Sequence, residues 1–183
     1  MKKTGILIAL VAGVILLWGI GTYNGLVKKQ EAMSTAWSQV ENVYQRRADL
    51  VPNLIAVVSS YTDYEESTLI TVTEARAKAA ATRVNANDFD ENAFADFEAA
   101  QNELGHSLSQ LIVSVEDYPD LKADESFLAL QAQLAGCENR ILTERQRFNE
   151  TANAYNQSIR RFPNNLIANL FGFEKRPYFK LEQ

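Results

Sequence analysis

The sequence predicts an all-α protein: an N-terminal transmembrane helix followed by an antiparallel up-down bundle of about four long helices. Three observations predict this fold class. Residues 4–23 carry no charged side chain. Apolar residues then recur every three or four positions over most of the chain, as on one face of a helix. No segment alternates apolar and polar residues with the period of a strand. We divide the chain into a membrane anchor (1–25), a helical bundle (26–162) and an aromatic and basic C-terminal tail (163–183).

The anchor is predicted from its length and its flanking residues. As an α-helix, residues 4–23 span about 30 Å, which matches the hydrocarbon core of a bilayer. Trp18 and Tyr23 lie near its end, where amphipathic rings favour the headgroup region. A cleaved signal peptide is the alternative, but the apolar run exceeds the usual ~7–15 residues and no Ala-x-Ala site follows. Positive charges are nearly balanced on the two sides of the span, so the positive-inside rule discriminates only weakly between the two orientations. We expect the N-terminus inside and the C-terminal domain outside the cytoplasmic membrane.

The first bundle helix continues from the anchor. Its heptad-like stripe predicts packing in a bundle and comprises Met33, Trp37, Val40, Tyr44, Arg47, Val51, Leu54, Val58 and Tyr61. Pro52 lacks an N–H and its ring crowds the carbonyl of Ala48, which predicts a kink or a short break there.

Three more helices follow. The second is predicted from about Tyr64 to Arg83, and a polar loop follows it over residues 84–92. The third ends before Pro119, and its stripe is Phe94, Phe97, Gln101, Leu104, Leu108, Leu111, Val115 and Tyr118. Asp124 is a predicted N-cap for the fourth, which Pro163 ends. The stripe of this helix is Phe127, Leu130, Leu134, Cys137, Ile141, Glu144, Phe148, Tyr155, Ile159 and Phe162.

Charged residues on buried stripes predict an ion pair. Arg47 lies on the stripe of the first helix, and a charge in a bundle core must be paired because an isolated one costs several kcal/mol. We predict that Arg46 or Arg47 reaches a carboxylate, and the candidates are Asp49, Glu138 and Glu144. The alternative is an anion or partner site built on the two arginines.

The tail is predicted to return to the membrane. Leu166, Ile167 and Leu170 fit one face of a short helix closed by Gly172. Interleaved aromatic and basic residues suit the headgroup region. With Trp18 and Tyr23, the predicted interface residues are Phe171, Phe173, Lys175, Arg176, Tyr178 and Phe179. The alternative is that the tail phenylalanines cover the open end of the bundle. Residues 84–125, with 11 acidic side chains and one basic, are expected to point away from the membrane.

Composition removes several functional classes. Among 183 residues there is one cysteine, Cys137, and one histidine, His106. An intramolecular disulfide framework and a histidine-cluster metal site are therefore excluded. Glu103 and His106 have the spacing of one half of a di-metal site, but the second copy is missing. We expect no catalytic residue, no metal and no cofactor, and the chain is not basic enough for nucleic acid.

Several motifs resemble one family. They are Arg-Arg-Ala-Asp-Leu-Val-Pro-Asn-Leu (46–54), Glu-Asp-Tyr-Pro-Asp-Leu-Lys-Ala (116–123), Glu-Asn-Arg-Ile (138–141), Glu-Arg-Gln-Arg-Phe-Asn (144–149) and Phe-Gly-Phe (171–173). With these, the chain resembles the LemA family of bacterial membrane proteins. The resemblance implies an N-terminal anchor and an antiparallel helical domain in the bacterial cytoplasmic membrane, and it implies no known reaction. Some relatives are linked to the making of magnetosome membranes, which suggests membrane organisation.

These observations predict a single-pass membrane-anchored helical scaffold or interaction protein of the bacterial envelope. Its partners would be the bilayer, through residues 4–23, and other envelope proteins or further copies of itself. The alternative is an extracytoplasmic ligand-binding or sensory domain. That alternative requires a pocket between helices, near Arg46 and Arg47.

Overall fold

A computed structural model describes residues 2–61, 66–85 and 89–180. These residues form six α-helices and one 3-10 turn, Val115–Asp117, without a β-strand. The all-α prediction is confirmed. The helices are α1 (Lys2–Ser59), α2 (Glu66–Ala81), α3 (Glu91–Ser114), α4 (Pro119–Lys122), α5 (Glu125–Arg160) and α6 (Asn164–Leu170). The predicted start of the second helix at Tyr64 lies outside the described residues.

The long helices run antiparallel. The most extensive helix pair is α1 with α5, and α2 pairs with α3 and with α1. As residue numbers rise along α1 and just beyond it, the residue numbers of the partners fall along α5 and its N-cap. Trp37 contacts Phe148, Arg47 pairs with Glu138, and Tyr61 donates to Asp124. The bundle therefore has a membrane end, near residues 26 and 159, and a distal end near residues 61 and 124.

Helix α1 is continuous over 58 residues and contains Pro52. Of the predicted kink or short break at Pro52, the break is therefore wrong, and the kink stays a prediction. Pro52 is exposed, and it cannot donate to the carbonyl of Ala48. Arg76 of α2 supplies the missing donor, because its Nε donates to the Ala48 carbonyl at 2.9 Å. A neighbouring helix thus satisfies the acceptor that the proline leaves open.

Local signals define the other helix ends. The Asp124 N-cap is confirmed, since its side chain accepts from the Phe127 amide at 2.9 Å. The predicted closure of α6 is also confirmed: Gly172 has φ +72°, and the Phe173 amide donates to the Ala168 carbonyl, as in a Schellman motif. Helix α5 ends at Arg160. Phe162 is therefore not on its buried stripe, and its side chain is 76% exposed.

Two hydrophobic clusters fill the bundle. The distal cluster joins α1, α2, α3 and α5 and contains Val51, Leu54, Val72, Leu104, Leu111 and Phe127, among others. The second cluster, which we call the Trp37 cluster, lies nearer the membrane end and has Trp37 at its centre. The aromatic rings around Trp37 have centroids 5.2–6.0 Å from it and belong to Phe89, Phe94, Phe97, Phe148 and Phe179.

Candidate functional site

The N-terminal part of α1 is the one described segment that is long and apolar enough to cross a membrane. Its most apolar window has a mean hydropathy of 2.3, and none of that window is buried in the protein. Large side chains such as Leu7, Val14 and Leu17 are 63–71% exposed. An uncovered apolar helix of this length matches a bilayer core, so it is a candidate transmembrane helix that anchors the chain to a membrane.

Arg47 is the centre of a polar network inside the bundle. Its residue is 3% exposed, and its Nη1 donates to Glu138 Oε1 at 2.8 Å. Its Nη2 donates to both the backbone carbonyl and Oε1 of Gln101, at 2.7 and 2.9 Å. Gln101 Nε2 in turn faces the Ala79 carbonyl at 3.4 Å. One guanidinium therefore links α1 to α3 and α5 directly, and to α2 through Gln101.

The pair is asymmetric in its exposure. The Arg47 side chain is 4% exposed, whereas that of Glu138 is 48% exposed. Tyr44 lies beside it, with its ring centroid 5.1 Å from Arg47 Cζ. Burial raises the pKa of Tyr44, which keeps the phenol neutral. Because of this difference in exposure, water reaches the Glu138 carboxylate, whereas the Arg47 guanidinium is almost entirely covered by protein.

The other predicted charges do not join this network. Arg46 is exposed, and Asp49 accepts from Gln45 Nε2 at 2.7 Å. Glu144 lies 3.9 Å from Arg147 on its own helix. Of the candidate carboxylates, the structure brings Glu138 alone to Arg47. Sequence reasoning missed Gln101 as a partner, although its place on the apolar stripe of α3 was a usable signal.

A groove of about 650 Å³ opens between α3 and α5 beside this network. Its lining includes Arg47, Gln101, Gly105, Ala135 and Glu138. His106 is exposed at the same groove, and Glu103 pairs with Lys78 of α2 at 2.5 Å. Over the described residues, no group of three or more His, Cys, Asp or Glu side chains could hold a metal ion. Cys137 is buried.

Two asparagines of α5 clamp the tail by its backbone. Asn156 donates to the Arg176 carbonyl and accepts from the Arg176 amide, both at 2.9 Å. Asn149 does the same with Phe179, also at 2.9 Å. Seven helical residues and three extended residues both cover about 10 Å. The tail therefore lies extended along α5 and runs away from the membrane end. Its two contacts with asparagines, at Arg176 and Phe179, are three tail residues apart.

Two of the predicted interface residues lie in the core instead. Phe179 is 3% exposed and Arg176 is 7% exposed, so their predicted place at the lipid headgroups is wrong. The Phe179 ring stacks on Trp37 with 6.0 Å between centroids, and Arg145 Cζ lies 4.8 Å from the Phe179 ring centroid. The clamp forces this placement, because it fixes the backbone of both residues against α5. Asn149 and Asn156 are further site residues that sequence reasoning missed.

The remaining interface candidates lie at or near the membrane end. Phe171 and Phe173 pack on the Tyr23 ring, at 4.8 and 5.7 Å between centroids. Trp18 is 37% exposed on the anchor, and Lys175 is exposed. Tyr178 is 37% exposed, but its hydroxyl accepts from Asn156 Nδ2 at 2.8 Å. The tail is thus divided, with residues up to 173 beside the anchor and residues from 176 onward on the bundle.

Comparison with known proteins agrees with this architecture. The profile described as the LemA family matches residues 36–183. Magnetosome protein MamQ of Magnetospirillum gryphiswaldense is 24% identical over 174 residues, covering 86% of this chain and 64% of that protein. Magnetosome protein MamQ 2 of Paramagnetospirillum magneticum is 32% identical over 81 residues, 44% of this chain and 30% of that protein. Protein LemA of Metamycoplasma hominis is 23% identical over 159 residues, covering 87% of this chain and 69% of that protein.

The match to the MamQ proteins thus spans less than two thirds of their length. The family profile, in contrast, covers the bundle and the tail almost entirely, including the Arg47 network and both asparagine clamps. This chain belongs to the LemA family.

Proposed function

We propose that this chain is a single-pass membrane-anchored scaffold or interaction protein of the bacterial envelope, without catalytic activity. The observation that carries the proposal is the continuity of α1 from the uncovered apolar segment into the bundle. Residues 26–59 alone rise about 50 Å along the axis. A helix that spans the bilayer would hold the packed bundle upright on the membrane and display its faces to partners.

The placement of charge supports this orientation. Exposed basic residues lie toward the membrane end: Lys28, Lys29, Arg160, Arg161 and Lys175. Acidic residues near the distal end include Glu116, Asp117 and Asp120. An anionic lipid surface attracts the first set and repels the second. We propose that the bundle lies outside the cytoplasmic membrane, and C-terminal fusions to alkaline phosphatase and to green fluorescent protein test the side.

The faces proposed for partners are apolar positions that the bundle leaves uncovered. Val113 of α3 and Leu142 of α5 are 65% and 62% exposed. The relatives named as magnetosome proteins support an organising role rather than a reaction. A photo-crosslinking residue at Leu142, in the full chain in native membranes, should give discrete adducts with itself or with envelope proteins. The same residue at Glu150, an exposed acidic position of α5, is the control. Equal or absent adducts at both positions would contradict the scaffold function.

A ligand-binding domain is the second candidate, and the groove between α3 and α5 favours it. The donors of Arg47 toward the groove are already occupied by Glu138 and Gln101, so an anionic ligand would have to displace Glu138. A panel of alkyl carboxylates tests this with the full chain in nanodiscs. A saturable rise in melting temperature that Ala135→Trp abolishes would support ligand binding over the scaffold.

A further inference from the structure

We infer that α6 and the residues flanking it form a second membrane attachment, in the leaflet nearest the bundle. The surface is built from Phe162, Leu166, Leu170 and Phe171, and its partner is the acyl and headgroup boundary of a phospholipid bilayer. The inference rests on the proposed membrane anchor, because α6 reaches lipid only where α1 enters it.

The first argument is the exposure of an apolar surface at one end of the molecule. Phe162, Leu166, Leu170 and Phe171 are 76%, 57%, 74% and 57% exposed. Residues 163–173 contain no charged side chain. Four large exposed apolar side chains within ten residues of sequence indicate an interaction site rather than a solvated surface.

The second argument is the position of this surface along the anchor. Ile167 Cδ1 lies 3.7 Å from the position a Cβ would take at Gly19. An apolar groove of about 610 Å³ joins Ile167 and Phe171 to anchor residues Ala12, Ile15 and Leu16. Gly19 precedes Tyr23 by four residues, about 6 Å of helix rise. Interfacial helices lie about 5–10 Å into the headgroup and acyl boundary, so α6 lies at that depth if the anchor spans the bilayer.

The third argument is the order of residue types along the chain. Arg160 and Arg161 precede the uncharged segment, and Glu174 and Lys175 follow it. Lys29 of α1 lies at the start of α6, where it lines a groove with Ser158 and Asn164. Arg160, Arg161 and Lys29 thus place basic charge beside the N-terminal end of the apolar segment, whereas Glu174 and Lys175 offset each other at its C-terminal end. This is the level at which phosphate headgroups would lie, and cations are favoured there.

The uncovered surface is continuous with the uncovered anchor. Ile167 and Phe171 share one apolar groove with residues of the transmembrane segment. A partner protein would have to cover the anchor as well as α6, whereas lipid covers both without further contacts. We therefore assign the bilayer rather than a second copy as the occupant.

The test measures depth at four exposed positions of the full chain. In a Cys137→Ala background, we would spin-label Leu166→Cys, Leu170→Cys, Leu17→Cys in the anchor and, on the bundle, Glu150→Cys, which lies outside the face proposed for partners. Liposomes of phosphatidylethanolamine and phosphatidylglycerol are the membrane. Circular dichroism checks that each variant keeps its helicity, and power saturation compares oxygen, which enters lipid, with a nickel chelate, which stays in water.

Labels at 166 and 170 should shift toward high oxygen and low nickel accessibility, as at 17, whereas the label at 150 reports water. Nickel accessibility at 166 and 170 equal to that at 150 would overturn the inference while leaving the anchor intact. Shielding from both reagents would show that protein covers α6, and would overturn it too. If the label at 17 also reports water, the proposed membrane anchor itself fails.

Discussion

Removing one asparagine clamp should release the tail from the Trp37 cluster. In Asn149→Ala, the Phe179 amide and carbonyl both lose their 2.9 Å partner. A part-buried hydrogen bond contributes about 1 kcal/mol net, and each orphaned backbone group adds a penalty of about 1–3 kcal/mol. The tail can avoid that penalty by detaching, at the cost of the burial of Phe179, about 1.5–3 kcal/mol. We therefore expect a local loss of about 2–3 kcal/mol.

Hydrogen exchange reads this loss directly, because the Phe179 amide donates to the Asn149 side chain. At about 1.4 kcal/mol per factor of ten, the amide should exchange about 30- to 150-fold faster in the full chain in detergent. In a Trp18→Phe background, the fluorescence of Trp37 should change as the stacked Phe179 ring leaves. The matched control is Asn153→Ala, since Asn153 is exposed on the same helix and contacts Gln157 instead. Equal exchange in the two variants would refute the clamp.

Three further predictions concern the bundle. Arg47→Met should lower the free energy of unfolding by about 1–3 kcal/mol, because Gln101 loses a buried donor. Glu138→Gln should cost under about 1 kcal/mol, since Glu138 is half-exposed and screened; equal costs in denaturant titrations would argue against the asymmetric pair. Gly136→Ala should stabilise α5 by about 0.5–1 kcal/mol, because nothing lies within 4 Å of the added Cβ. Gly105→Ala should lack that gain, since its Cβ would lie 3.2 Å from Arg47 Nη1, and matching melting temperatures would contradict this. The hydrogen bond that the Phe127 amide donates to the Asp124 carboxylate holds the pKa of Asp124 below its usual value. The cap therefore stabilises the fold above the ordinary aspartate pKa, and this contribution is lost as the pH falls through the lowered pKa. Asp124→Asn should weaken this acid dependence, and identical acid-unfolding curves would contradict it.

The helices and most of the core could be predicted from the sequence because they follow from local periodicity. The stripe of α3 is an example, since Phe94, Leu104 and Leu111 are all buried. Pro52 shows where local reasoning fails. Its effect on α1 depends on Arg76, a residue of another helix that satisfies the open carbonyl. A break is therefore avoided by a tertiary contact that the sequence around Pro52 does not reveal.

The candidate site also has a part that the sequence predicts and a part that depends on tertiary contacts. A charge on the α1 stripe predicts a buried pair, but the choice between Glu138 and Glu144 depends on the register between α1 and α5. That register is set by the intervening helices and turns. In the tail, the same alternation of aromatic and basic residues is compatible with a position at the lipid surface and with a position in the core, so the pattern alone does not distinguish them. Asn149 and Asn156, seven residues apart on one face of α5, carried the missing information, because paired amides on a helix can hold an extended segment.

The burial of Phe179 also has a consequence for biosynthesis. Trp37 is synthesised soon after the anchor, whereas the Phe179 ring that stacks on it follows much later in the chain. Until then, the hollow between Trp37, Phe94 and Phe148 has no occupant, and its aromatic walls are accessible. A chain truncated before the clamp would still insert its anchor, yet it would expose that hollow to proteases and to other nascent chains. Closure of the hollow thus requires that synthesis has passed Phe179.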